Sequence, residues 1–328
     1  MIRRSPRFTI FLLALFLLLA PRAAANDPLQ SAQQQFEQGE FAAAVKTLEA
    51  ALAQKPQDAA LHYWLGRAYY ELRDMDRAFQ HAERAVQLDA QNSDYHLWYG
   101  HVCGRKARRE SSLGLARRTK REFEAAVRLN AASIPARRAL IDYLSSAPWI
   151  AGGDDGEARR QADSLAVVDA VEGRLAWADY WINNDEPTRA TSELLKVLEL
   201  KPARIEPFID VMRFFSERED AAQLQKSVAA AENVNAAEPR LLYYRGVLWI
   251  LQGTRRADAE QSLQKYVSSV TPRTGDPPHV LARLWLGRLY ENQKRCDDAA
   301  NQYREVLKVD SKNREARDGL KRATQKCK

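Results

Sequence analysis

Cysteine, glycine and proline are all scarce in this 328-residue chain, with 3, 14 and 13 residues respectively. Three cysteines cannot lace a disulfide-rich scaffold, although they suffice for one bridge. Glycine and proline together make up about 8% of the chain, against roughly 12% in average proteins. That excludes collagen-like, disordered and loop-rich chains and leaves a helix-compatible composition. Catalytic signatures are missing as well: there is no Gly-x-Ser-x-Gly elbow, dinucleotide fingerprint, phosphate loop or Cys-x-x-Cys pair. His62, His81, His96, His101 and His279 form no metal-ligand spacing, and His96 and His101, five apart, fall on different helix faces. Asp154 and Asp155 are adjacent and loop-borne, a poor geometry for acid–base work. The expectation is no catalysis, no cofactor and no metal.

Long apolar runs are also lacking, with one exception. Arg3, Arg4 and Arg7 precede a nearly unbroken apolar stretch from Phe8 to Ala20, which ends in small residues at Ala23–Ala25. A basic start, a short apolar stretch and a small-x-small end are the parts of a secretory signal. The stretch falls short of the roughly 20 residues that span a bilayer. An uncleaved anchor is the rival reading. The residues after Arg4 do not continue a twin-arginine signal, and no cysteine stands near the cleavage point to take a lipid. The expectation is cleavage after Ala25, export, and no integral membrane segment in the mature chain. In a Gram-negative bacterium the compartment is the periplasm.

What the chain does have is a repeat. Aligning Gly66, Gly100, Gly246 and Gly287 brings Tyr63–Tyr69, Leu97–Cys103, Tyr243–Trp249 and Leu284–Tyr290 into step. The first two glycines are 34 residues apart, and an alanine-rich amphipathic run follows each segment, with Ala78 and Ala299 both 12 residues past their glycines. Pro56 and Pro202 stand at closing turns. This pattern resembles the tetratricopeptide repeat, whose 34-residue unit is a pair of antiparallel helices. The resemblance implies an all-α, right-handed superhelical solenoid over residues 26–312, in about eight units starting near 25, 59, 93, 134, 171, 205, 239 and 280. Residues 313–328 read as a polar capping helix. Stretched spacing predicts insertions near 104–120, 147–157 and 267–279. Unit six departs from the pattern by placing Met212 at the glycine position. Six tryptophans (Trp64, Trp98, Trp177, Trp181, Trp249, Trp285) fall in first helices, where an aromatic stripe reads as packing rather than a cofactor box.

Two features are not plain repeat. Arg105 to Arg121 holds Arg105, Lys106, Arg108, Arg109, Arg117, Arg118, Lys120 and Arg121 with Glu110 as the sole acid, a net charge of +7 in seventeen residues. It reads as the insertion between the two helices of unit three, with Ser111–Ala116 as a flexible or partly helical turn. It is either an anion-binding edge or a solvated helix extension. The second feature is the turn from Ala147 to Glu157, which includes Pro148, Trp149, Ile150, Gly152 and Gly153. It is similar to the Ala-Pro-Gly-Ile-Val-Gly-Gly turn of a group of exported tetratricopeptide proteins without an established function. Turns within units project from one edge of a solenoid, about 10 Å apart, so the basic insertion and Trp149 should sit side by side. They would form one binding module with Trp149 and Ile150 as apolar anchor; alternatively, Trp149 tucks under the insertion and seals helix ends.

Ligands of the resembling family lie against first helices, which here present Tyr63, Arg67, Tyr70, Leu97, His101, Arg288 and Glu291 to the groove. The basic-asparagine pattern of a terminal-carboxylate clamp is missing. The implied partner is a peptide or helix of another envelope protein. The function expected is a non-catalytic periplasmic scaffold for protein–protein interactions in cell-envelope assembly or export. The alternative is binding of an anionic lipid or polysaccharide through Arg105–Arg121. Nucleic acid is not expected, because no aromatics interleave the arginines.

Cys103 falls at a large-residue position of a first helix and reads as a buried free thiol. Cys296 opens the second helix of unit eight and Cys327 ends the capping helix, whose antiparallel return predicts a disulfide. The net charge of +7 and pI near 9.3 shrink to +3 once the signal is removed. Outside Arg105–Arg121 the mature chain is then mildly acidic, at −4.

Overall fold

The computed structural model describes residues 27–273 and 275–325. The expected signal, residues 1–25, and the expected disulfide partner Cys327 lie outside the described residues. Those described form seventeen α-helices and one 3-10 turn, with no strand among them. Eight antiparallel pairs follow one another: α1 (Pro28–Glu37) with α2 (Phe41–Gln54), α3 (Ala59–Glu71) with α4 (Met75–Leu88), α5 (Ser93–Glu110) with α6 (Leu113–Leu129), and α7 (Ile134–Ser146) with α8 (Asp155–Val168). Then come α9 (Ala170–Asn183) with α10 (Pro187–Glu199), α11 (Glu206–Glu217) with α12 (Ala221–Asn235), α13 (Leu241–Leu251) with α14 (Arg256–Ser269), and α15 (His279–Asn292) with α16 (Cys296–Val309). The capping helix α17 (Arg314–Gln325) closes the stack. The result is a right-handed solenoid of helix pairs with a C-terminal cap.

Local sequence sets the boundaries. Asp58, Asn92 and Asp169 each accept hydrogen bonds from two backbone amides of the helix they open, satisfying donors that the helix itself cannot. The register glycines are required by helix approach. A Cβ on Gly100 would lie 2.5 Å from the Phe123 ring, and one on Gly287 would lie 2.6 Å from the Tyr303 ring. Tyr303 is wedged between Gly287 and Gly319 of α17, which is how the cap is seated. At the exceptional Met212 the side chain is fully buried, so unit six fills that space with sulfur and methylenes instead of closing it.

The apolar core is not uniform along the stack. Large clusters fill units one to three and units five to eight with the cap. Between them lie only two small clusters, Phe123, Leu140, Leu144, Ala158 and Tyr180 in one, and Ile141, Ala162, Leu165 and Ala176 in the other. A polar staple crosses that stretch. Arg138 of α7 reaches Glu172 (3.5 Å) and Asp179 (2.8 Å) of α9 and Asp210 (2.7 Å) of α11. The connection after α14 reaches back to the first unit: Arg273 bonds Glu37 at 2.8 Å, and a Cβ on Gly39 would lie 2.9 Å from the Thr271 methyl. The superhelix therefore brings unit seven against unit one.

The segment 104–120 is not a loop. Both α5 and α6 run on through it as helices of 18 and 17 residues, against 13 and 14 in unit two, and the turn is Ser111–Ser112 alone. Gly114 falls inside the first turn of α6, exposed, where it costs little. Of the six first-helix tryptophans, Trp285 is buried and the other five are half-buried. They pack on one side and face solvent on the other.

Candidate binding surfaces of the solenoid

In units one to three the first helices carry a continuous aromatic band. Phe36 of α1, Tyr63 and Trp64 of α3, and Trp98 of α5 surround one cation, Arg67. Its guanidinium carbon stands 4.8, 5.6, 4.5 and 5.6 Å from those four ring centroids. The band continues through Tyr70, edge-on to Trp98 at 4.9 Å and capped by Arg105 at 4.4 Å. It ends at His101, which lies between Trp98 and Phe123 (6.1 and 5.2 Å). His101 is exposed, and desolvation by the side chains crowded around it lowers its pKa. Arg67 Nε and Trp98 Nε1 are buried and have no hydrogen-bond partner among the described residues. The Arg67 guanidinium is held instead by the rings around it and by the Tyr63 hydroxyl. Tyr63, Arg67, Tyr70 and His101 are thus brought together along one band. Phe36 and Trp98 complete the group, although helical spacing alone marks Trp98 as a packing residue.

The other expected groove residues have a different use. Arg288 pairs with Glu219 (2.7 Å) and Glu315 of α17 (2.6 Å), and Glu291 pairs with Arg322 of α17 (3.0 Å). Both anchor the cap. Midway along the groove a cavity of about 470 Å³ is lined by Asp142, Asp179, Asp210, Glu217, Arg213 and Arg218, among others. It adjoins the Arg138 staple. Burial raises Asp179 above the ordinary carboxylate range while Arg138 pulls the other way.

The basic edge divides into two parts. Lys106 and Arg109 pair with Asp76 of the preceding unit (2.6 and 3.0 Å) and with Glu110, while Arg118 pairs with the buried Glu122 and lies over the Tyr99 ring. Burial opposes ionisation of Glu122, but hydrogen bonds with His96 and Arg118 outweigh it and keep its pKa below the usual range. These cations hold unit three together. Arg108, Arg117 and Arg121 are exposed and form no ion pair among the described residues.

Next to them stands the turn after α7. Trp149–Ala151 is a 3-10 turn, and Trp149 is 84% exposed and Ile150 45% exposed. Trp149 therefore does not tuck under the insertion. The loop is locked in place: Tyr143 Oη lies 2.6 Å from the Ala116 carbonyl and 2.9 Å from that of Ala151, and Arg117 Nε donates to the Ile150 carbonyl at 3.0 Å. Gly152 sits at φ +102°, and a Cβ on Gly153 would collide with the Ala147 carbonyl. Between loop and helix is a cavity of about 470 Å³ lined by Arg117, Lys120, Arg121, Trp149 and Ile150, among others.

Cys103 is buried and unpaired, and its thiol is pushed up to about 12 by burial, which makes it unreactive. Cys296 opens α16 as expected. Among the described residues no group of three or more His, Cys, Asp or Glu side chains could hold a metal ion, and no helix is long and apolar enough to cross a membrane.

A stack of antiparallel helix pairs with glycines at four of its crossings and a lined inner groove is a repeat solenoid of the kind that scaffolds other proteins. Residues 29–93 and 251–315 match the tetratricopeptide repeat family, and the units between repeat the same helix-pair architecture. A chain of the APC/C hetero-tetramer Cut9–Hcn1 is similar in fold, at 14% identity and a TM-score of 0.51, covering 91% of this chain and 55% of that one. This chain thus spans about half of that neighbour. A tetratricopeptide repeat protein of Parabacteroides merdae (13% identity, TM-score 0.45, 91% and 98% covered) and pilF of Pseudomonas aeruginosa (15%, 0.44, 69% and 95%) also match. No curated protein matches the sequence.

Proposed function

We propose that this chain is a non-catalytic scaffold that captures a peptide segment of a partner protein in the concave groove of units one to three. The observation that carries this is the half-exposed aromatic band of Tyr63, Trp64 and Trp98 around Arg67. Apolar side chains of a bound peptide take the place of water on Trp64, Trp98 and Tyr63. The basic N-terminus and short apolar stretch support export with cleavage after Ala25, which makes the periplasm the compartment and assembly or export of the cell envelope the setting. Opening of α16 by Cys296 supports a Cys296–Cys327 bridge in an oxidising compartment.

The test is a selection of random peptides displayed on phage against the chain from Asn26 onward. Enriched peptides should bind at least tenfold more weakly to Trp98→Ala and Arg67→Ala. Peptides indifferent to both substitutions would place the binding surface elsewhere.

A further inference from the structure

Independently of the groove, we propose that the edge formed by the α5–α6 tip and the Trp149 turn docks on an anionic phospholipid surface. Three observations carry it.

The edge projects. Each helix of the α5–α6 hairpin is longer than its counterpart in unit two by three to five residues, or roughly 5–7 Å at 1.5 Å per residue. A projecting tip suits a flat surface, whereas a peptide suits the groove.

It is amphipathic in the manner of an interfacial anchor. Trp149, Ile150 and Leu113 are exposed at 84%, 45% and 40%, and Arg117, Lys120 and Arg121 share a cavity with the first two. An indole beside arginines places one group at the acyl boundary and the others among phosphates.

The apolar part is held out rigidly. Tyr143 braces the carbonyls on both sides, Arg117 grips Ile150, and Gly153 permits a turn that a Cβ would forbid. A loop whose only role was to seal helix ends would turn its indole inward. Of the acids nearby, Glu110 pairs with Lys106, Glu124 with Lys120 (3.7 Å) and Asp155 with Arg159, while Asp154 caps α8. That leaves the charge of Arg108, Arg117 and Arg121 for phosphates.

Vesicle flotation tests this with the chain from Asn26 onward, which holds every helix of the described fold. The probes are vesicles of phosphatidylcholine alone and vesicles with one third phosphatidylglycerol. The chain should float with the second and not the first, and binding should fall steeply between low and moderate salt. Arg121→Gln should weaken it roughly fivefold and Arg117→Gln with Arg121→Gln roughly 30-fold, taking each cation as an independent contact. Trp149→Ser with Ile150→Ser should abolish it with helical content unchanged. The Arg121 side chain makes no hydrogen bond or ion pair among the described residues, so its variant isolates charge from folding. No flotation on anionic vesicles, or flotation indifferent to these variants, overturns the proposal. So does binding to soluble polyglutamate as tight as to vesicles, because that would identify an acidic polymer as the occupant.

Discussion

Replacing Arg138 by methionine should loosen the middle of the solenoid and leave its ends alone. The guanidinium is the shared counter-charge of Glu172, Asp179 and Asp210 on the next two first helices. Its side chain is 24% exposed, and those of Asp179 and Asp210 are 28% and 19% exposed. Breaking a fully buried pair costs about 3–5 kcal/mol, and partial exposure with the remaining Arg204–Glu172 and Arg213–Asp210 pairs reduces that to about 2 kcal/mol. The apolar clusters at this level are small, so nothing else there takes up the loss. Repeat stacks unfold by unit and interface, so the effect is local. Hydrogen exchange should show roughly 30-fold less protection in α7, α9 and α11, with α3 and α15 unchanged. Asp179→Asn in the Arg138→Met background should recover part of it, because the residual fault is uncompensated charge. A loss below about 0.5 kcal/mol, or one spread evenly over all units, would refute the staple.

The remaining predictions concern pH, the cap and the thiols. His62 Nδ1 and His81 Nδ1 lie 2.9 Å apart and His62 Nε2 lies 3.2 Å from the Pro56 carbonyl, so His62 donates to Pro56 and His81 donates to His62. Burial, then the neighbouring His62, holds His81 down to about 4, below its ordinary 6.5, so the unfolded chain takes up the proton first. Stability of unit two should therefore be full above pH 6.5 and lost as pH falls towards 4, by up to roughly 3 kcal/mol; urea unfolding across that range checks it, and a flat profile contradicts it. Gly319→Val should push α17 off Tyr303 at a cost of about 1–3 kcal/mol, seen as exchange confined to α15–α17. Non-reducing mass spectrometry should find Cys296 joined to Cys327 and Cys103 unmodified until the chain is denatured; removing the bridge should cost roughly 3–4 kcal/mol.

The repeat was legible because helix-pair packing leaves a regular trace. The glycine register puts unit starts at 59, 93 and 134, where α3, α5 and α7 begin, and the later starts fall within two residues of the helices. Gly114 makes Ser111–Ala116 a flexible or partly helical turn in the sequence, and the helical alternative is the one the fold takes from Leu113 onward. In the fold Ser112 caps α6 immediately before it. The side-by-side placement of the basic edge and Trp149 followed from topology, while the outward orientation of the indole depended on the Tyr143 brace, 27 residues from one of its partners. The Arg138 staple was invisible because its partners lie 34, 41 and 72 residues away and meet only through superhelical curvature. Arg288 and Glu291 were assigned to the groove for want of a position for the cap, whose Glu315 and Arg322 engage them.

The groove around Arg67 is proposed to receive a partner polypeptide. A photo-crosslinking amino acid at His101, inside the groove, and at Val309, 78% exposed on a second helix, tests it in cells producing the full chain. The account predicts discrete adducts from position 101 that disappear with Arg67→Ala or Trp98→Ala, and none from position 309. Equal adducts from both positions, or adducts at 101 that survive both substitutions, would contradict it.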